Sequence, residues 1–245
     1  MNSNDDLLKL GLNKVYSDDT FLCSYPKSGN TWVRFLVANL LEQKLEITFR
    51  NIDDYVPEIE LHKERLNHLS KRPLMKTHWP LFYLFPKTIY LVRDPRDAYI
   101  SLYHYATKNG WFAGSLPDFL RTPKYYGSWE THVGMAFNHQ EAYPDKIKIF
   151  RYEDLVHFPT ENLTLIADFL EIKYEKNYID IAIDKCSLNN LRKVEFEHGP
   201  EANRSSGFFR KGQIGEWRQV LSKEDSSFLT DKFYPYLLKF DYAIE

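Results

Sequence analysis

The chain has 245 residues, 43% hydrophobic and 27% charged, which suits one sizeable globular core in a single domain, 1–245. A formal net charge of −2 excludes a general pull toward nucleic acid or acidic membranes, so a polyanionic ligand must be held by local basic residues. Two cysteines, Cys23 and Cys186, are too few for a metal cluster or a disulfide framework and fit a reducing, cytoplasmic setting.

Taken in order, residues 1–18 are expected to be flexible or peripheral. The opening Met1–Asp6 is polar and acidic, without the basic and apolar regions of a signal peptide, and no apolar run is long enough to span a bilayer. Phe21 to Cys23 then reads as a buried strand. Pro26 breaks it, and Gly29 permits a tight backbone path. Val33, Leu36, Val37, Leu40 and Leu41 follow at i, i+3, i+4, i+7 and i+8, the apolar face of a helix fading near Glu46. Strand, tight loop and helix start together make an anion site, above all a phosphate site, although the same residue types also build ordinary turns.

The nucleotide P-loop pattern G-x-x-x-x-G-K-[ST] falls on Ser24 to Thr31. Gly29 and Thr31 match, Ser24 replaces the first Gly, Asn30 replaces the Lys, and a lysine stands earlier, at Lys27. Without the lysine that reaches the β/γ-phosphates, the loop suits a shorter phosphate ester.

Further along, residues 51–67 read as loop and short helix, and Leu74 to His78 as a short strand stopped by Pro80. Thr88 to Val92 is a β-branched, buried strand. Asp94 reads as an N-cap and Pro95 as the first residue of a helix to about Tyr105. Residues 109–126 are expected to form a surface loop with structure of its own. Trp129 to Tyr143 is helical by pattern, Lys146 to Phe150 a half-buried strand, and Glu161 to Leu170 an amphipathic helix. Asp180 to Arg192 should be a helix broken by a turn, Glu195 to Gly215 a mobile loop, and Ser222 to Asp225 a capping box for a last helix.

Alternating strands and helices predict an α/β fold, a central parallel sheet flanked by helices, with ligands at the carboxyl ends of the strands. Lys27, His78, Arg93 and Tyr152 all lie just past strand ends. Lys76 and His78, two apart, share one strand face, which places a cation beside an imidazole able to take a proton near neutral pH. Arg93 and Ser101 offer a guanidinium fork and a hydroxyl suited to a phosphate. Trp32 and Tyr152 could stack on a base. Each has a plainer alternative: a structural strand-end His, an Arg93 paired with Asp94 or Asp97, aromatics in the core.

The segment Tyr25-Pro-Lys-Ser-Gly-Asn-Thr-Trp32 resembles the 5′-phosphosulfate loop Y-P-K-S-G-T-T-W of cytosolic-type sulfotransferases, with Asn30 for Thr. Lys76-Thr77-His78-Trp79-Pro80 resembles the family's K-T-H-x-P, and Arg93-x7-Ser101 its 3′-phosphate motif. Arg210-Lys211-Gly212-x-x-Gly215-Glu216-Trp217 resembles R-K-G-x-x-G-D-W. The family's T-S-F near the adenine stands here as Cys186-Ser187-Leu188. The resemblance runs from about Thr20 to Trp217 and implies a P-loop-kinase-like domain using 3′-phosphoadenosine 5′-phosphosulfate (PAPS) without a metal.

The same resemblance implies that His78 is the general base, with Lys76 contacting the sulfuryl group and Lys27 supporting the leaving phosphate. Ser28, Gly29, Asn30 and Thr31 would hold the nucleotide's 5′ side, and Trp32 would lie at the adenine. Arg93, Ser101, Arg210, Lys211 and Gly212 would hold its 3′-phosphate, and Tyr152 would lie at the base. The acceptor is expected to be a small molecule bearing a hydroxyl or amine. Tyr55, Trp79, Phe82, Trp111, Phe112, Tyr125 and Tyr126 could line an apolar pocket, which would favour a phenol, an apolar or aromatic alcohol or a lipid, or could equally be core. The alternatives are a small-molecule kinase on the same fold and a non-catalytic nucleotide-binding relative. The family's dimer motif K-x-x-x-T-V-x-x-x-E is altered over Arg218 to Ser227, so the sequence leaves the oligomeric state open.

Overall fold

In the computed structural model, residues 3–175, 177–199 and 209–244 are described. The chain runs α1 (Ser3–Leu10), β1 (Thr20–Ser24), α2 (Asn30–Leu41), α3 (Ile52–Tyr55), α4 (Ile59–His68), β2 (Met75–Thr77) and a 3-10 turn (Phe82–Leu84). It continues with β3 (Lys87–Val92), α5 (Pro95–Lys108), α6 (Leu116–Arg121), α7 (Trp129–Ala142) and β4 (Ile147–Arg151). The remainder is α8 (Tyr152–His157), α9 (Pro159–Phe169), α10 (Tyr178–Lys185), α11 (Leu188–His198), α12 (Trp217–Val220) and α13 (Lys223–Lys239).

Among the described residues the sheet is four-stranded, ordered β2-β1-β3-β4, with every pairing parallel. Alternate strand residues feed opposite cores, as period-2 geometry requires. Leu22, Ile89 and Leu91 join the layer formed by α2, α9, α10 and α11. Phe21, Cys23, Tyr90 and Val92 join the layer formed by α4, α7 and α13. The single α/β domain with a helix-flanked parallel sheet is therefore as expected. Among the described residues no helix is long and apolar enough to cross a membrane.

Several local expectations change. The segment expected to be flexible or peripheral holds α1, whose Leu10 is fully buried, and Leu12 just beyond is buried too. Within residues 109–126 a capping box joins Ser115 and Asp118 and starts α6. Glu195 belongs to α11 and is not loop, because Ser187 caps that helix and Leu191 and Val194 bury its inner face. Part of the expected mobile loop, residues 200–208, lies outside the described residues.

Candidate active site

One cavity of about 1230 Å³ opens at the carboxyl ends of the strands. Lys27, His78, Arg93 and Tyr152, each just past a different strand, all line it. So do Gly29, Asn30, Thr31 and Trp32 from the loop and first turn of α2. Lys76, Ser101, Arg210, Lys211 and Gly212 complete the predicted set on the wall. Of the residues expected in catalysis or nucleotide binding, Ser28 alone is not on the wall.

The loop after β1 turns twice through left-handed backbone, at Lys27 (φ 69°) and Gly29 (φ 92°). Such alternation turns successive amides toward one concavity. The first hydrogen bond of α2 runs from the Val33 amide to the Gly29 carbonyl at 3.1 Å, so the amides ahead of it are not spent inside the helix. Gly29 has a second reason to be glycine: a Cβ there would lie 2.6 Å from Cδ2 of Tyr152. Asn30, standing where nucleotide loops carry lysine, donates from Nδ2 to Ser24 Oγ at 3.0 Å and closes the loop on its own strand. Ser28 Oγ and Arg93 Nε are buried donors with no hydrogen-bond partner among the described residues. This donor-rich cradle fits an anion.

Lys27 Nζ sits 4.3 Å over the Tyr105 ring. Burial, reinforced by the charges of Arg93 and Arg210, pushes its pKa down to about 7. Arg93 ties two loops together, donating to the carbonyls of Lys27 at 3.2 Å and Gln213 at 2.9 Å. Its guanidinium lies 4.5 Å over the Tyr152 ring, and Tyr152 Oη donates to the Gly212 carbonyl at 3.1 Å. Arg93 is therefore no surface residue: it is 7% exposed, with Asp97 3.9 Å away.

Asp97, buried at 1% exposure, accepts the amides of Gly215 at 2.7 Å and Trp217 at 2.9 Å, fixing the second loop to the start of α5. Burial raises its pKa, with Arg93 opposing. Arg210 and Lys211 are already paired within their own loop. Both hold Glu216, at 2.7 Å and 2.9 Å, and the Arg210 bond above all drives the Glu216 carboxyl down to about 2. Trp32 donates from Nε1 to the Cys186 carbonyl at 3.0 Å and meets Tyr152 edge-on at 5.9 Å. The Cys186-Ser187-Leu188 segment lines the cavity beside it.

His78 Nδ1 lies 2.8 Å from the Ser24 carbonyl. A carbonyl only accepts, so the neutral ring carries its proton on Nδ1 and its lone pair on Nε2. Burial, and then the charge of Lys76, hold its pKa well below 6.5. Lys76 Nζ is ion-paired with Glu58 at 2.7 Å, and Arg34 lies 4.0 Å from the other Glu58 oxygen. Glu58 escaped the sequence reading because it meets Lys76 only through a parallel bridge beside β2.

Of the aromatics proposed for the acceptor, Trp111, Phe112, Tyr125 and Tyr126 line the cavity. Phe82 is core, and Tyr55 packs on the other layer and donates to Glu42. Trp79 packs against Tyr125 and Tyr126 from behind. Phe49, Tyr105 and Phe119 take their place on the wall.

The Sulfotransferase domain family matches residues 17–239. Dog sulfotransferase 1B1 is 31% identical over 237 residues, covering 84% of this chain and 78% of the relative. Cytosolic sulfotransferase 17 of Arabidopsis thaliana is 28% identical, covering 86% and 72%. Among solved structures, a mouse sulfotransferase complexed with PAP has the same fold, with a TM-score of 0.74 at 24% identity over 97% of this chain and 90% of that one. Retinol dehydratase in a complex with retinol and PAP gives 0.74 at 20% identity, over 95% and 86%. The family match over nearly the whole chain, together with the loops gathered at one sheet edge, places this protein in the cytosolic-type sulfotransferase family.

Proposed function

We propose that the protein moves the sulfuryl group of PAPS to a hydroxyl, or an amine, of a small-molecule acceptor, with His78 as general base. The observation that carries this reading is the His78–Ser24 hydrogen bond, which leaves Nε2 as the unprotonated nitrogen of a ring lining the cavity. The acceptor's proton passes to Nε2 as its oxygen forms the new bond to sulfur, and the bond from sulfur to the phosphate oxygen breaks. Lys27 and the loop amides stabilise charge growing on the leaving phosphate, a preorganised electrostatic effect. Lys76 supports the sulfuryl oxygens from the opposite side, once drawn from Glu58.

On the 3′-phosphate side, Arg93, Ser101, Arg210, Lys211 and Gly212 form the grip, and Trp32 and Tyr152 flank the base. The aromatic wall supports an apolar or aromatic alcohol, in keeping with matched relatives named for flavonol and with fold neighbours bound to retinol or androsterone. A cytoplasmic setting agrees with relatives named cytosolic. The kinase alternative is disfavoured because Asn30 spends its side-chain nitrogen on Ser24 instead of reaching outward.

Incubation with labelled PAPS and a panel of phenols, alcohols and amines tests the reading. Transfer should occur and should survive excess EDTA. Phosphoryl transfer from ATP that needs added Mg²⁺, with none from PAPS, would establish the kinase instead.

A further inference from the structure

Behind the proposed base lies a second imidazole that the reaction as described does not use. His132, on α7, is 1% exposed. Its Nε2 lies 2.9 Å from the main-chain carbonyl of His78, and its Nδ1 lies 2.7 Å from Tyr90 Oη. The carbonyl can only accept, so Nε2 carries the proton. Nδ1 then holds a lone pair, and the Tyr90 hydroxyl must donate to it. Tyr25 meets the ring edge-on at 5.6 Å, and Phe82 closes another side. In this aromatic box burial holds the His132 pKa down to about 4, so the ring stays neutral.

The neighbouring peptides are pinned too. The Trp79 amide donates to Thr77 Oγ1 at 3.1 Å, and the Cys23 thiol points to the Trp79 carbonyl at 3.6 Å. One chain of hydrogen bonds thus runs from Tyr90 on β3, through His132, to the backbone of His78, whose ring is held by Ser24 on β1. The ring bond sets which nitrogen faces the cavity. The carbonyl bond sets where the residue's backbone stands.

We propose that His132 is a positioning residue for the transfer reaction, holding the His78 backbone through its carbonyl, with Tyr90 fixing the tautomer that lets it do so. This rests on the reading of His78 as the base. It differs from a packing role because packing is served by any ring of similar size, whereas positioning needs the Nε2 donor.

The experiment compares His132→Phe, His132→Gln and Tyr90→Phe in the full chain, reading kcat, acceptor KM, PAP affinity by calorimetry and melting temperature. His132→Phe keeps a ring and loses the donor, so kcat should fall ~10- to 100-fold, the scale expected of a small misplacement of a reacting group. PAP affinity should remain within about 3-fold of wild type, because the nucleotide side of the cavity is untouched. His132→Gln restores an N–H for the His78 carbonyl and should recover most of the lost kcat. Tyr90→Phe should lose kcat by less than His132→Phe and in the same pattern. A folded His132→Phe with wild-type kcat, a Gln variant no better than Phe, or PAP affinity lost in step with kcat would each overturn the proposal. Should His132→Phe not fold, Tyr90→Phe decides alone: unchanged kcat overturns, lowered kcat with intact PAP binding supports. Nitrogen-15 spectra of histidine-labelled wild type should show His132 protonated only at Nε2 and His78 only at Nδ1, and the opposite tautomer at His132 overturns the chain. Wild type that transfers no sulfuryl group would instead fail the functional reading, while the spectrum still reports on the hydrogen bonds.

Discussion

His78 and Arg93 make separable claims. If His78 is the base, His78→Asn should lower the transfer rate by ~10²-fold or more while PAP affinity stays near wild type. Single-turnover kinetics beside PAP titration measures both, and a substantially active variant would assign the proton to another group. For Arg93→Ala, losing charged hydrogen bonds to a 3′-phosphate should weaken PAP by ~10- to 150-fold. Adenosine 5′-phosphate, which lacks that group, should be far less affected. Equal losses for both nucleotides would mean that Arg93 acts by holding the Lys27 and Gln213 carbonyls together, a role its bonds also permit. His78 and Arg93 were legible in the sequence because each follows a strand whose apolar run is local. Glu58, Asp97 and His132 were not. The sequence offers Asp97 only as a partner for Arg93, and nothing in its neighbourhood announces that it also accepts the amides of Gly215 and Trp217. His132 looked like one polar residue of an ordinary helix, because the carbonyl it serves is distant in sequence.

The loop from Ser24 to Asn30 was the most readable element, and the structure adds the reason for its glycine. Gly29→Ala should cost about 1–2 kcal/mol from the left-handed backbone alone. The new methyl would also displace Tyr152, and with it the Arg93 stack and the bond to Gly212. Denaturant unfolding should show the loss of stability, and PAP affinity should fall with it. An Ala variant with wild-type stability and affinity would mean that Tyr152 yields at no cost. Elsewhere the elements were read less completely. α6 carries a Ser-x-x-Asp start at Ser115 that sequence inspection could have caught. α11 runs on through Glu195 to His198 because buried Leu191 and Val194 anchor it, a tertiary cause invisible in a charged segment. The pairing of Arg210 and Lys211 with Glu216 was hidden for a related reason: the motif suggests a ligand for each cation and does not show that both share one carboxylate of their own loop.

Across the whole molecule, Lys27 sets opposite pH trends for stability and for ligand binding. Its pKa falls from the ordinary 10.5 to about 7 in the fold. Between those values the unfolded chain holds a proton that the folded chain has released. This group's contribution therefore makes the ligand-free protein more stable as pH rises through that window. An anionic nucleotide prefers the protonated lysine, so PAP affinity and kcat/KM for the donor should decline as pH rises through about 7. The neutral form of His78 is already present there, since its pKa lies well below 6.5, which puts its acid limb lower still. Calorimetry in buffers of different ionisation heat should detect proton uptake on PAP binding above neutrality. Lys27→Arg, always charged, should flatten the alkaline limb. A limb that survives in Lys27→Arg would belong to another group.

The strand order also has a consequence for how the protein is made. Among the described strands β1 comes first in the chain, yet in the finished sheet it lies between β2 and β3, and it meets neither until long intervening stretches have emerged. Contacts between segments so far apart in sequence form slowly, because the loops joining them must close before any pairing compensates. During synthesis Phe21, Leu22 and Cys23 therefore wait as an unpaired apolar segment, the kind of surface that chaperones cover. Asp97 then waits longer still, until Gly215 and Trp217, more than a hundred residues on, emerge to cover it. A nascent chain halted after β3 would carry the first loop without the second, so the cavity wall that both loops build could not be complete until residues 210–217 had emerged.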